Sequence, residues 1–431
     1  MKKVICFIYV LSLLAVMCGQ VSAAPKYTVT DLNMLTGIQQ VADVNNRGMI
    51  VGNMSSSAGT KACAWQAETG LVDLGYGRAM AVSDTGFVAC RIDSLVGFLW
   101  NPTTHTTSQF NNPGNITDVN DIGQVVGYNG NNQAFIWEAG LGMTELGIGG
   151  ARAVINSGQV AGSIVTPSGY EHAFIWQAGT GMTDLGTLGG TRSYANAIND
   201  AGQVVGGSQT ASGDIHAFIW DKDNGMVDLG GFGAETNAIS INNRGQVLAN
   251  TYLANCIVSS LLWQKETGWV ELNNLVDLPP NTFASAKKIL DDGSILARIY
   301  TTQRVAVCDV LLMPIVIHVQ IDIKPGTTPN VLNLRSNGLF QVAIFSTAGF
   351  DATTIDPATI TLAGASPSRM GKAPVVAKID INRDGRKDLV PMFSCANLQL
   401  NASDKEAVLT GKTFDGTSIE GKDSVVVIPK K

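Results

Sequence analysis

Between residues 26 and 315, apolar residues come in short runs or strict alternation, bounded by glycine, asparagine and aspartate. No stretch shows the three-to-four spacing of an amphipathic helix, so the pattern predicts strands and tight turns throughout. The runs themselves repeat. One unit reads A-x-x-I-N-D-x-G-Q-V-V-G, a variable stretch, A-F-I-W, a short turn and G-M-x-D-L-G, most fully as Ala195–Gly206, Ala217–Trp220 and Gly225–Gly230. Trp65, Trp100, Trp137, Trp176, Trp220 and Trp263 mark six copies, and Gly48, Gly86, Gly123, Gly158, Gly202, Gly245 and Gly293 mark seven turns. Self-similarity at this period signals a repeat architecture.

Each unit holds four strand-sized segments, named here a (AxxIN), b (GQVVG), c (AFIW) and d (MTDLG). The Asn/Asp-x-Gly between a and b predicts a three-residue hairpin loop: the polar side chain closes a local hydrogen bond and Gly supplies positive φ. Ahead of the first a segment, Tyr27–Leu32 reads as a d strand with no unit of its own. With seven a-b-c sets and six internal d strands, that orphan brings the total to seven sheets of four. The expectation is an all-β chain whose residues 26–315 form a seven-bladed β-propeller, with the N-terminal strand completing the last blade and removing exposed edges. An open β-solenoid is the alternative, but it gives no reason for the permuted start.

The units at 172–206, H-A-F-I-W…G-M-T-D-L-G-T-L-G-G…A-x-A-I-N-D-A-G-Q-V-V-G, resemble the HAF repeats of secreted bacterial and archaeal proteins. The likeness covers most of 40–275 and is fullest in the fourth and fifth units. It implies an extracellular repeat protein and brings no catalytic residues. Histidine opens the motif only at His172 and His216, with Lys61 and Gln133 standing elsewhere. The acidic member of M-x-D-L-G (Asp73, Glu145, Asp184, Asp228, Glu271) repeats too, and a residue that recurs with the period is expected to be architectural.

Residues 1–23 fit a signal peptide: Lys2 and Lys3, an apolar run from Val4 to Met17, and Val21-Ser22-Ala23 before the cut. An exported chain with no membrane insertion after signal removal is expected, secreted or periplasmic. Charged residues make up 15% of the chain against about a quarter in an average soluble domain, which suits strands buried on both faces. Residues 26–315 carry 14 basic and 24 acidic residues, net −10, while 316–431 carry 13 and 11, net +2. No basic patch with interleaved aromatics exists, so nucleic acid is not an expected partner. Cys63, Cys90, Cys256, Cys308 and Cys395 remain after export, an odd number that matches no zinc spacing.

The b–c connections (53–61, 91–96, 128–133, 163–172, 207–216, 250–260) vary in length and are small and polar, so their face is the expected ligand face. Tyr128, Tyr170, Tyr194 and Tyr252 are the aromatics there that can stack on a sugar. From residue 316 the repeat stops, and alternating strands with turns at Pro325-Gly326 and Asp356-Pro357 predict a small β-sandwich. Within it Asp380-Ile381-Asn382-Arg383-Asp384-Gly385-Arg386-Lys387-Asp388 spells D-x-N-x-D-G-x-x-D. Alternate oxygens on such a loop suit calcium, with Asp380, Asn382, Asp384 and Asp388 giving side chains and Arg386 its carbonyl. The stretch from I-D-I-K-P-G onward resembles a C-terminal module of secreted microbial proteins, which implies secretion and calcium. No G-x-S-x-G elbow or other catalytic constellation is present. The expected role is a non-enzymatic binding or surface-structural protein whose partner is a polysaccharide or a cell-surface protein. The alternative is a secreted carbohydrate-active hydrolase or lyase using the propeller face.

Overall fold

The computed structural model describes residues 26–232, 235–253, 256–265, 267–414 and 416–430. The expected signal peptide, 1–23, lies outside the described residues. Strands dominate, and among the described residues the helical elements are Leu32–Thr36 and three 3-10 turns. The chain divides into two compact units, one ending at Met313 and the other beginning at Pro314.

In the first unit each repeat folds as an antiparallel a-b-c-d meander, as in Gln40–Val44, Ile50–Ser56, Gly59–Gln66 and Gly70–Tyr76. The sheet of the seventh repeat takes Thr282–Ile289, Ile295–Thr301 and Ala306–Pro314, and its fourth strand is Tyr27–Asp31 from the start of the chain. The third and fourth repeats differ from expectation. Strand d of one and strand a of the next run on as Gly142–Val154, giving one seven-stranded sheet. Gly147 (φ 136°) and Gly149 (φ 147°) let this strand bend without a turn, so it pairs first with Gln133–Glu138 and then with Val160–Val165.

Every a–b hairpin carries its glycine at positive φ, between 75° and 93°. Every a strand is also bulged at the same place: the register shifts across Ala42, Met80, Thr117, Arg152, Asn196, Ile239 and Lys287. A bulge inserts one unpaired residue and re-aims its neighbours. Opposite it, the last glycine of GQVVG sits hard against the a strand. A Cβ on Gly206 would lie 1.9 Å from the Tyr194 carbonyl oxygen, and one on Gly127 2.0 Å from that of Asn115.

The apolar alternation is spent between sheets. Phe135, Phe174 and Phe218 are fully buried, as are Val125, Val160 and Val204 of the b strands. One hydrophobic cluster lies between each consecutive pair of repeats from the first to the seventh. A further one packs Leu290 and Leu296 of the seventh against Ile50 and Cys63 of the first. Cys63, Cys90, Cys308 and Cys395 are free thiols, and burial pushes the Cys63 thiol up to about 11.

The second unit has two four-stranded sheets. One orders Val316–His318, Ser418–Ser424, Glu406–Thr413 and Ile355–Leu362; the other Ile321–Ile323, Leu339–Ile344, Asp388–Ser394 and Val376–Ile379. Both feed one core that includes Ile323, Val342, Ile360, Leu389, Phe393 and Leu409.

Candidate functional site

The variable b–c stretches are shorter as loops than the sequence indicates, because most of their residues extend the strands. Ser55 pairs with Thr60, and Gln209 with Ile215, leaving tight turns. The four tyrosines on that face are not brought to one place. Tyr170 sits in a turn, 43% exposed, and Tyr128 ends its b strand beside Gly150. Tyr194 and Tyr252 do share surroundings. The Tyr194 hydroxyl donates to Glu235 Oε1 (2.9 Å) and accepts from Asn237 Nδ2 (2.8 Å). Burial first, then the Glu235 charge, holds the Tyr194 phenol well above its ordinary pKa, and the same two causes raise Tyr252. Tyr194 thus has its polar end committed to the protein.

The histidines of the repeat are likewise committed. His172 Nδ1 lies 2.8 Å from Asp184 Oδ2, and His216 Nδ1 2.9 Å from Asp228 Oδ2. The other oxygen of each carboxylate accepts a backbone N–H, from Gly186 and Gly230. The same c–d pair is made by Lys61 with Asp73 (2.5 Å) and by Ser259 with Glu271 (2.7 Å). A position filled in turn by Lys, His, His and Ser supplies a donor for one cross-strand acid, and its chemistry beyond that is interchangeable.

Sequence reasoning missed the chemistry of the a–b turns. The local turn bond is made one residue before the Asn/Asp-x-Gly position: Asn199 Oδ1 accepts from Gln203 N, and Asn242 Oδ1 from Gln246 N, both at 3.0 Å. The amide of that asparagine reaches the next repeat: Asn45 donates to Ser83 O (2.7 Å), Asn199 to Asn242 O (3.1 Å) and Asn242 to Leu290 O (2.9 Å). The following residue then bonds its counterpart next door. Asn46 Nδ2 donates to Asp84 Oδ2 (2.8 Å), Asn156 Nδ2 to Asp121 Oδ2 (2.8 Å) and Asn243 Nδ2 to Asp291 Oδ2 (3.0 Å). Asp291 N in turn donates to Asn46 Oδ1 of the first repeat at 2.8 Å. The signal is present in the sequence as a second Asn or Asp beside the turn asparagine, in N-N-R-G, N-D-I-G and N-D-A-G.

These turn residues ring the mouth of a cavity of about 200 Å³ lined by all seven repeats. Below the rim stand the residues that follow the bulge: Asp118, Ala153, Ala197, Ser240 and Lys288. Lys288 Nζ pairs with Asp43 Oδ1 at 2.8 Å. Desolvation opposes its charge, but Asp43 and Asp118 outweigh that and raise its pKa. Burial pushes the Asp118 carboxyl up to about 6, against the pull of Lys288 and of the Val154 and Val119 amides. Asp118 Oδ2 accepts from Val154 N at 2.9 Å, so it also ties the third repeat to the fourth. The cavity is polar: Lys288, the one basic residue lining it, pairs with Asp43, and the lining aspartates accept hydrogen bonds from amides of neighbouring repeats.

In the second unit, the D-x-N-x-D-G-x-x-D loop joins Val376–Ile379 to Asp388–Ser394. Asp384 N donates to both Asp380 Oδ1 (3.0 Å) and Asn382 Oδ1 (3.1 Å), so these oxygens converge on one amide. Asp384 Oδ1 accepts from Arg386 N at 2.8 Å, and that bond leads in lowering its pKa. Asp388 is fully buried, with one oxygen on Ser346 N (2.9 Å) and the other on Ile381 N (3.0 Å). It anchors the loop to a neighbouring strand end. Among the described residues no group of three His, Cys, Asp or Glu side chains is close enough to hold a metal ion.

No protein-family model matches the chain, and no curated protein matches it. Solved structures similar to it include TolB from Acinetobacter baumannii, at 13% identity and TM-score 0.35 over 55% of this chain and 65% of that one. The Pyrococcus horikoshii acylaminoacyl peptidase is similar at 14% identity and TM-score 0.45, over 75% of this chain and 60% of the peptidase. The chain thus spans less than two thirds of the length of either. The WD40 domain of SCAP from fission yeast is similar at 10% identity and TM-score 0.37, over 86% of this chain and 98% of that domain.

Proposed function

We propose that the protein is an exported, non-enzymatic glycan-binding protein, built as a seven-bladed β-propeller followed by a β-sandwich that calcium steadies. The ring is supported by the contacts between the seventh repeat and the first: the shared cluster around Leu296 and Ile50, the Asp291–Asn46 bonds, and the N-terminal strand in the last sheet. Such closure removes the open edges that would otherwise template pairing with other chains.

The observation that carries the non-enzymatic reading is the fate of the repeated polar groups. The His–Asp pairs, the turn asparagines and the rim aspartates are all bonded to one another, and the His position tolerates Lys and Ser. What remains for a ligand are the residues that do not repeat. In the second unit, Asp380, Asn382 and Asp384 offer side-chain oxygens on one exposed loop and Arg386 its carbonyl, while Asp388 holds the loop in place. A carboxylate oxygen that accepts one amide keeps a lone pair for an ion, and calcium bound there would fasten the two strand ends.

The test is a panel of polysaccharides offered to the purified chain, scored for retention and for new reducing ends. Retention without cleavage is expected. Cleavage of any member, or retention of none, overturns the reading.

A further inference from the structure

The period lapses at the junction of the first and second repeats, at the end of the sheets that carries the a–b and c–d turns. The c–d connection takes three residues, 67–69, in the first repeat, but six, 101–106, in the second. This longer turn is held by Asn101, whose Oδ1 accepts from Thr103 N (2.9 Å) and Thr104 N (3.2 Å) and whose carbonyl accepts from His105 N (2.9 Å). It places His105 at φ 55°, a left-handed conformation uncommon outside glycine. The imidazole stands edge-on to Trp100, ring centres 5.7 Å apart.

A second departure falls at the same junction. The residue after the turn glycine is Gln124, Gln159, Gln203 and Gln246 in the third to sixth repeats, but Met49 and Phe87 in the first two. Gln124 donates to Glu138 and Gln159 to Gln177, each acceptor lying just after the c-strand tryptophan. Gln66 holds that position in the first repeat and has no glutamine to meet.

The two departures leave a cavity of about 230 Å³. Its walls are apolar, with half-buried Trp65, buried Trp100 and Met49, and Pro102. Around its mouth stand Arg47, Gln66 and His105, whose side chains make no hydrogen bond or ion pair among the described residues. Asp84 also lines it, each of its oxygens accepting one N–H of Asn46. Among the described residues, the free hydrogen-bonding groups here are the Arg47, Gln66 and His105 side chains and the Thr69 hydroxyl, over an indole floor. At this volume, below the roughly 300–1,000 Å³ of sites for drug-sized ligands, the cavity suits one ring rather than a buried oligomer.

Resting on the glycan-binding reading above, we propose that this cavity seats one pyranose residue. The apolar C–H face of the sugar lies on Trp65 and Trp100, and its hydroxyls meet Arg47, Gln66 and His105. A pyranose has both an apolar face and a rim of hydrogen-bonding groups, as the cavity does. A purely apolar ring would leave the three polar side chains at the mouth unused.

The experiment titrates the full chain with a panel of neutral hexoses, 6-deoxyhexoses and hexuronates, following tryptophan fluorescence and sugar-proton saturation-transfer NMR. Saturable binding of at least one member is expected, weakened at least tenfold in Trp65→Ala, Arg47→Ala and Gln66→Ala. The last two alter side chains at the mouth and keep the core intact, so unchanged melting separates lost binding from lost fold. Binding that survives all three variants, or no binding by any sugar, overturns the site. If the parent chain and Trp65→Ala retain the same polysaccharide equally, glycan binding stands and this cavity is not its seat. If the parent retains none, both readings fall.

Discussion

Replacing Asn242 with alanine removes one of the two most connected turn asparagines, the other being Asn120. Its side chain is 3% exposed. It donates to Leu290 O (2.9 Å) and Gln246 Oε1 (2.8 Å), and accepts from Arg244 N (3.1 Å) and Gln246 N (3.0 Å). A hydrogen bond contributes about 1 kcal/mol net, and a buried partner left bare costs about 1–3. Leu290 O keeps its bond from Gly293 N, and water can reach Arg244 N and Gln246 N in part. Together these place the loss at about 2–4 kcal/mol. The side chain of the neighbouring Asn243 makes three bonds, to Asp200 and Asp291, but is exposed, so its alanine variant is expected to lose under ~1 kcal/mol. The assay is urea unfolding followed by tryptophan fluorescence, because all seven tryptophans lie in the first unit and none in the second. An unchanged slope with a lower midpoint would report lost stability alone. If Asn242→Ala falls within about 0.5 kcal/mol of the parent, or if Asn243→Ala is the costlier of the two, bonds between repeats do not hold the unit together as described.

Three further outcomes are expected. Calcium should raise the melting temperature of the second unit in calorimetry, chelator should reverse the rise, and Asp384→Ala should abolish it; an equal rise in Asp384→Ala removes the loop assignment. Asp118 has a pKa raised to about 6 from 3.8, so the folded state binds its proton more tightly than the unfolded one. Its contribution is therefore full below pH 3.8 and is lost as pH rises through about 6. A rise of that size corresponds to about 3 kcal/mol, and contact with cavity water reduces this to roughly 1–2. The stability gap between parent and Asp118→Ala should move by that amount across this window, and a flat gap would contradict it. Gly206→Ala would push a methyl to 1.9 Å from the Tyr194 carbonyl oxygen. Since backbone and not a flexible side chain must yield, a loss of about 1–3 kcal/mol or more is expected by thermal melting; a neutral change would show that the a strand moves freely.

Much of the architecture is legible in the order of residues alone, because each apolar run has one structural use. The Phe and Val of AFIW and GQVVG are buried between sheets, and the turn glycines take positive φ. Three features are hidden from it. The bulge at the x-x of AxxIN depends on pairing register, which apolar alternation does not encode across a two-residue gap. The merging of strands into Gly142–Val154 depends on glycines that sequence reads as turn formers. The bonding of Asn199 to its own turn and to Asn242 O, and of Asp200 to Asn243, requires the neighbouring repeat to be in place. The candidate sites are less legible still. Tyr128, Tyr170, Tyr194 and Tyr252 share a face by strand counting, yet their side chains go to different partners. His105 reads in sequence as a lone histidine, though the six-residue turn that carries it is the clearest lapse of period on that edge.

The proposed closure of the first unit depends on the N-terminal strand. A chain beginning at Leu32 lacks Tyr27–Asp31, the fourth strand of the last sheet, and exposes the edge of Ala306–Pro314. Its fluorescence-detected melting temperature is the most direct measurement. A cooperative transition several degrees below the parent's, with a new tendency to associate through the bared edge, is expected. The same melting temperature in both chains, with no change in association, would show that the strand does not close the first unit.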